Sequence, residues 1–253
     1  MKNSISHVLS FILMIIFSML IFFVIGQKEL RSSVIIKNLE KDNYYYKVYG
    51  NILSKIDDYI VNEELMQLYK QYLSIDLVKK DINKLISNIY HNGTSTVSRY
   101  DEFYKIINDY VDDNTINKKY SEGINNIYIN SLFPTREITM INKLYIPTTD
   151  VVFILIVGLL ICLILSLLLF LINKNFKYHI IAILSSSILL ILPKIFVKIF
   201  GIFENFVYTN KHFTDALLSI VNNILSNLFL VGLVILILLF TYKFIKENYK
   251  LSR

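Results

Sequence analysis

Four histidines, three adjacent pairs of identical acids and two lysines late in an apolar run are the residues of this 253-residue chain whose types could do chemistry. His7, His91, His179 and His212 stand far apart, so no two share the helical i+3 or i+4 spacing that presents paired imidazoles to a metal. His91 could act as a general base toward Asp101 or Glu102 across Asn92-Gly93. A helix C-terminus, where the dipole favours an imidazole, explains it with fewer assumptions. His212, in TNKHFTD, reads as a loop residue near a helix start, with acyl chemistry beside Asp215 as the alternative. Asp57-Asp58, Glu63-Glu64 and Asp112-Asp113 suggest calcium only superficially. Adjacent helical residues diverge by about 100 degrees and no Asp-x-Asp-x-Asp-Gly loop is present. These pairs read as solvated faces. No metal or cofactor is expected, and catalytic residues stay unassigned.

Lys194 and Lys198 belong to SSSILLILPKIFVKIF, Ser185 to Phe200. At about 1.5 Å per residue from Tyr178 they fall roughly 24 and 30 Å along a helix, near the far edge of a hydrocarbon core about 30 Å thick. Lysines there can snorkel, so both are expected at the membrane interface. Pro193 permits a bend, and Lys194, Lys198, Gly201 and Asn205 form a narrow polar stripe, which suggests an outer interfacial segment near 194–208. A buried ion path is the competing reading.

Polar residues also occur inside apolar runs. Ser166 and Ser185, Ser186 and Ser187 are expected at one depth, where small hydroxyls let helices approach and bond across them. Ser219, Asn222, Asn223, Ser226 and Asn227 recur at three and four, a stripe that must face other helices or a wet cavity, because lipid would leave its amides unsatisfied.

The elements that position these residues follow from composition. A hydrophobic content of 54%, with 7 glycines and 3 prolines, marks an integral membrane protein, as does the mean hydropathy of +0.49. The net charge of +6 sits in flanks of apolar runs rather than on one face, which argues against nucleic acid. A single cysteine, Cys162, excludes an intrachain disulfide. Four runs reach the roughly 20 residues a span requires: Val8 to Ile25, Val151 to Ile172, Tyr178 to about Ile199, and about Ile220 to Tyr242. Val24 and Gly26 before Gln27 satisfy a signal-cleavage rule, but the first core exceeds the usual h-region of about 7–15 residues, so a retained anchor is expected. Lys174 and Lys177 in the link after the second run, and Lys243, Lys246, Lys250 and Arg253 in the tail, place those flanks in the cytoplasm. Both termini of this multi-pass cell-membrane protein are then cytoplasmic, and the 124 residues from Gln27 to Asp150, with 16 basic and 17 acidic side chains, are outside.

That outer segment shows helical periodicity. Tyr45, Val48, Tyr49, Ile52, Ile56 and Tyr59 form one stripe, and Val78, Ile82, Leu85, Ile86 and Ile89 another. Asn92-Gly93 stops the second helix. Ser98 with Asp101 resembles a capping box for the next, through Phe103, Ile106, Ile107 and Tyr110, and a further helix is expected over Asn117 to Leu132. The expectation is an all-α integral membrane protein: an anchor helix (1–26), a small extracytoplasmic bundle of four or five helices (27–150) and a three-helix transmembrane domain (151–253).

One span, a large outer domain and three further spans is also the layout of the FtsX/MacB-like permeases and, at smaller size, of lipoprotein intramolecular transacylases. This is a similarity of topology that transfers no functional residue. The stretch DLVKKDINKLISNIYHNGTS, Asp76 to Ser95, resembles a segment of four-span membrane proteins of low-GC Gram-positive bacteria. The preferred reading is a non-enzymatic envelope protein whose outer domain binds a partner or senses a signal. A permease-type subunit served by a separate ATPase and a membrane-embedded lipid or lipoprotein acyl-transfer enzyme are the alternatives. The expected partners are the bilayer and another membrane or envelope protein, not nucleic acid.

Overall fold

The computed structural model describes the chain except residues 1, 42, 93–96, 110–112, 133–134, 204–210 and 252–253. Every regular element among the described residues is a helix. They form two compact units, one of residues 1–29, 146–206 and 220–253, the other of residues 30–145 and 207–219.

The first unit holds four helices long and apolar enough to cross a membrane, so the chain is a multi-pass membrane protein. They are α1 (Lys2–Glu29), α9 (Thr148–Asn173), α10 (Lys177–Ile199) and the part of α11 (Lys211–Leu251) from Ile220 onward. Leu and Phe cover their outward faces; Phe153 is 68% exposed and Leu171 70%. The inward faces are narrow. Leu13, Leu169, Tyr178 and Ala182 pack where α1 meets α9 and α10, and Leu190, Leu225 and Leu228 pack α10 on α11. Gly232 permits that second approach, since a Cβ there would stand 2.8 Å from the Ser187 carbonyl oxygen and 2.7 Å from Ile191 Cγ1. Lys174, in the left-handed region at φ 53°, ends α9 and opens the short link to α10.

Among the described residues the second unit contains seven complete helices, more than the four or five expected: α2 (Ser32–Lys41), α3 (Tyr44–Tyr59), α4 (Glu63–Tyr72), α5 (Ile75–Asn92), α6 (Tyr100–Asn108), α7 (Asn114–Leu132) and α8 (Thr135–Leu144). α2, α4 and α8 have ten residues each, under three turns, too few repeats for periodicity to stand out. Both stripes read in α3 and α5 do point inward: Val48, Ile52, Ile56, Val78, Ile82, Ile86 and Ile89 are at most 3% exposed. Each such side chain contributes roughly 1.5–3 kcal/mol on burial. The capping box at Ser98 is not formed. Arg99 occupies the N-cap of α6, its backbone N–H donates to Asn125 Oδ1 of α7 at 2.9 Å, and Ser98 Oγ accepts from Tyr100 N. A tertiary amide thus replaces the local cap. Tyr110, expected in α6, lies outside the described residues.

Candidate functional site

Three polar groupings stand out, two in the four-span unit and one in the bundle.

The first lies at the end of the span unit where α1 and α10 finish and the membrane part of α11 begins. Lys194 Nζ donates to Ser226 Oγ at 2.9 Å and sits 5.3 Å from the centre of the Phe229 ring. Ser226 Oγ in turn donates to the Asn222 carbonyl, so a chain of three polar groups fixes the ammonium against α11. Asn227 Nδ2 donates to Glu29 Oε1 at 3.1 Å, which holds a carboxylate that is 6% exposed. Gln27, also on α1, accepts the Ile146 N–H at 2.8 Å. Lys198 is exposed and Asn223 half-buried. Lys194, Lys198, Gly201 and Asn222 share a cavity of about 210 Å³ with Val197, Phe203 and Leu225. α10 runs through Pro193 to Ile199 and ends in a turn over 200–203, so both lysines occupy the last turns of the span helix. The rest of the segment near 194–208, Asn205 included, falls outside the described residues.

The second grouping lies toward the opposite end. His179 Nε2 is 2.8 Å from the Ser166 carbonyl oxygen. A carbonyl only accepts, so Nε2 carries the proton and Nδ1 is left as an acceptor. Among the described residues Nδ1 has no partner. Cys162, Ser166, His179 and Ser186 line a cavity of about 330 Å³ with apolar neighbours on α1, α9 and α10. The serines around it act on backbone. Ser186 Oγ approaches the Ala182 and Met14 carbonyls at 2.9 and 3.1 Å, and Ser187 Oγ donates to the Leu184 carbonyl. From α1, Ser10 Oγ donates to the Tyr178 carbonyl at 2.9 Å and Ser6 Oγ to Asn173 Oδ1 at 3.0 Å. Ser185 is half-buried. Small hydroxyls satisfied on carbonyls are what close helix approach in lipid requires.

The third grouping is charged and lies inside the bundle. Asp81, 2% exposed, accepts two hydrogen bonds from Arg99, Nε at 2.8 Å and Nη2 at 2.7 Å, and a third from Tyr128 Oη at 2.7 Å. Arg99 Nη1 also reaches Glu102 at 2.9 Å. The fork geometry matches a planar guanidinium to a carboxylate, and the hydrogen bond to Asp81 holds Arg99 well above its ordinary range. Elsewhere in the bundle, tyrosine hydroxyls end on backbone carbonyls, those of the buried Tyr44 and Tyr69 on Leu132 and Phe103 and that of the half-buried Tyr90 on Leu30. Desolvation pushes the Tyr69, Tyr90 and Tyr128 hydroxyls above their usual pKa. Tyr45, buried and near Glu40, is pushed up to about 12 against the opposing effect of the hydrogen bond it donates to Asn83 Oδ1.

The remaining candidates are placed as follows. His91 is exposed in the last turn of α5. Glu102 is engaged by Arg99, and the side chain of His212 lies outside the described residues. Asp57 pairs with Lys70 at 3.8 Å, Glu63 and Glu64 open α4 behind the Asn62 cap, and Asp113 caps α7. Among the described residues no three His, Cys, Asp or Glu side chains gather as a metal site.

Sequence reasoning passed over Asp81, Arg99, Tyr128, Glu29 and the α1 serines. Signals for two of these existed. Asp81 is three residues after Val78 and four before Leu85, inside the apolar stripe of α5. Ser6, Ser10 and Ser18 recur at multiples of four along α1.

No family model, no curated protein and no solved structure matches this chain.

Proposed function

We propose that this is a cell-envelope membrane protein with both termini in the cytoplasm, whose bundle of residues 30–145 lies outside and binds a partner or senses a signal while the four spans anchor it. The observation that carries the reading is the Asp81–Arg99–Tyr128 network, which joins α5, the loop before α6, and α7 around one buried carboxylate. A spacer between two spans has no use for such a core. A module that presents a fixed surface does. That surface includes Val61, 94% exposed between α3 and α4, and Tyr46, 62% exposed.

Crosslinking in intact cells tests the reading. A photoreactive residue at Val61 or Tyr46 of the full chain is expected to give adducts of discrete mass that one at Lys174 does not give. Absence of such adducts from every exposed bundle position, in correctly inserted protein, contradicts it. Stoichiometric co-purification of an ATP-hydrolysing chain would replace it with the permease-subunit reading.

The cavity holding His179 and Cys162 favours a second reading, a membrane-embedded lipid or lipoprotein acyl-transfer enzyme. In that case His179→Gln and Cys162→Ser should abolish turnover of an acylated substrate and leave bundle crosslinks unchanged.

A further inference from the structure

The end of α10 carries features that neither anchoring nor partner binding explains. Lys194 and Lys198 stand one turn apart and line the cavity of about 210 Å³ with Asn222, and no acid is among its lining residues. Lys194 spends one of three ammonium protons on Ser226, leaving two donors. Lys198 has no ion-pair partner among the described residues. Glu29, the buried acid at this end of the unit, is instead engaged by Asn227. Two cations and a side-chain amide therefore converge without a counter-anion among the described residues.

Val197 forms a wall of this cavity and also of a larger one, of about 550 Å³. The larger cavity is almost wholly apolar, walled by Met19 and Phe22 of α1, Leu189, Leu192 and Phe196 of α10, and Leu228 of α11. A cationic recess next to an acyl-sized apolar one, at the end of a membrane span, has the polarity pattern of an anionic amphiphile.

We propose that these two cavities bind one anionic phospholipid, with its phosphate on Lys194, Lys198 and Asn222 and an acyl chain against Met19, Phe22, Leu192 and Phe196. A phosphodiester supplies the acceptor oxygens that two ammonium groups and an amide lack, and attraction of lysines to anionic lipid is favourable at a membrane surface. The apolar recess adds chain contacts that a free phosphate cannot make. Lys194, held by Ser226 and the Phe229 ring, is pre-positioned; Lys198 closes on the headgroup.

The test uses the full chain in neutral detergent, with bound lipid counted by native mass spectrometry. Phosphatidylglycerol should be retained at least tenfold more than phosphatidylcholine of the same chains. The double variant Lys194→Gln/Lys198→Gln should erase that preference, while Lys174→Gln/Lys177→Gln at the opposite end keeps it. If the double variant fails to fold, Lys198→Gln alone, whose side chain is exposed, should lower the preference about threefold. Equal retention of both lipids, or a preference undiminished by loss of Lys198, overturns the proposal. Displacement of phosphatidylglycerol by equimolar inorganic phosphate would reduce the site to an anion site and overturn the lipid assignment.

Discussion

The bundle and the span unit are both built of helices, yet they bury opposite things. In the bundle, Ile52, Ile56, Tyr69 and Phe103 are fully buried, and among the described residues one charged side chain is buried with them, a carboxylate clamped by a guanidinium and a phenol. In the span unit the large apolar side chains face out, and Ser6, Ser10, Ser18, Ser186 and Ser187 are among the most buried groups. The medium sets the difference. In water, apolar burial drives packing, and a charged pair inside must be fully satisfied. In lipid, Leu gains little by moving inward, so helices meet through small residues whose hydroxyls bond to carbonyls.

The largest test of this contrast is Asp81→Leu. It leaves the buried Tyr128 hydroxyl without its acceptor and the half-buried Arg99 guanidinium with Glu102 alone, which should cost about 3–5 kcal/mol in denaturant unfolding of the bundle. A loss below about 1 kcal/mol would mean that the network does not hold the core. Asp81→Asn, which keeps the shape and one acceptor, should lose less.

Alkaline unfolding comes next. The Tyr45 pKa is raised from 10.0 to about 12 in the folded chain, and Tyr69, Tyr90 and Tyr128 shift in the same direction. The unfolded state therefore releases these protons first. Stability is fully present below pH 10 and falls as pH rises through 12. The last step in tyrosinate absorbance should coincide with the loss of helical circular dichroism in the wild type. Ionisation of these tyrosines at pH 10 without unfolding would contradict their burial.

In the span unit, Gly232→Leu should cost about 1–3 kcal/mol by overpacking α10 against α11, read as a lower thermal midpoint in detergent. Gly26→Leu is the control, since a Cβ there meets nothing within 4 Å. The smallest effect belongs to Ser10→Ala, which removes one hydroxyl bond to the Tyr178 carbonyl for about 0.6 kcal/mol. A multi-kcal loss there would mean that the serines act as more than packing.

The spans and the stripes of α3 and α5 were legible because each repeats one signal over many turns: unbroken apolarity in the first case, i+3/i+4 spacing in the second. The candidate sites were legible only in part. Lys194, Asn222 and Asn227 could be singled out because polar groups are rare in apolar runs. Their partners could not. Ser226 is one of two serines in the same stripe, with no local signal that ties it to Lys194, and Glu29 sits in an ordinary charged flank beside Lys28. Asp81 hid in VKKDINKL, where a charge looks solvated, because its counter-ion Arg99 comes 18 residues later and only the tertiary fold joins them. Ser98 shows the converse: a correct local motif lost to a tertiary donor–acceptor pair, Arg99 with Asn125.

The central claim, that the two units live in different media with the bundle outside, is tested most directly by thiol accessibility in intact cells, in a Cys162→Ser background. An impermeant reagent should label Val61→Cys at once, Asn175→Cys only after permeabilisation, and Leu160→Cys, on the exposed apolar face of α9, only after denaturation. Labelling of Asn175→Cys from outside, or protection of Val61→Cys in the same cells, would contradict the account.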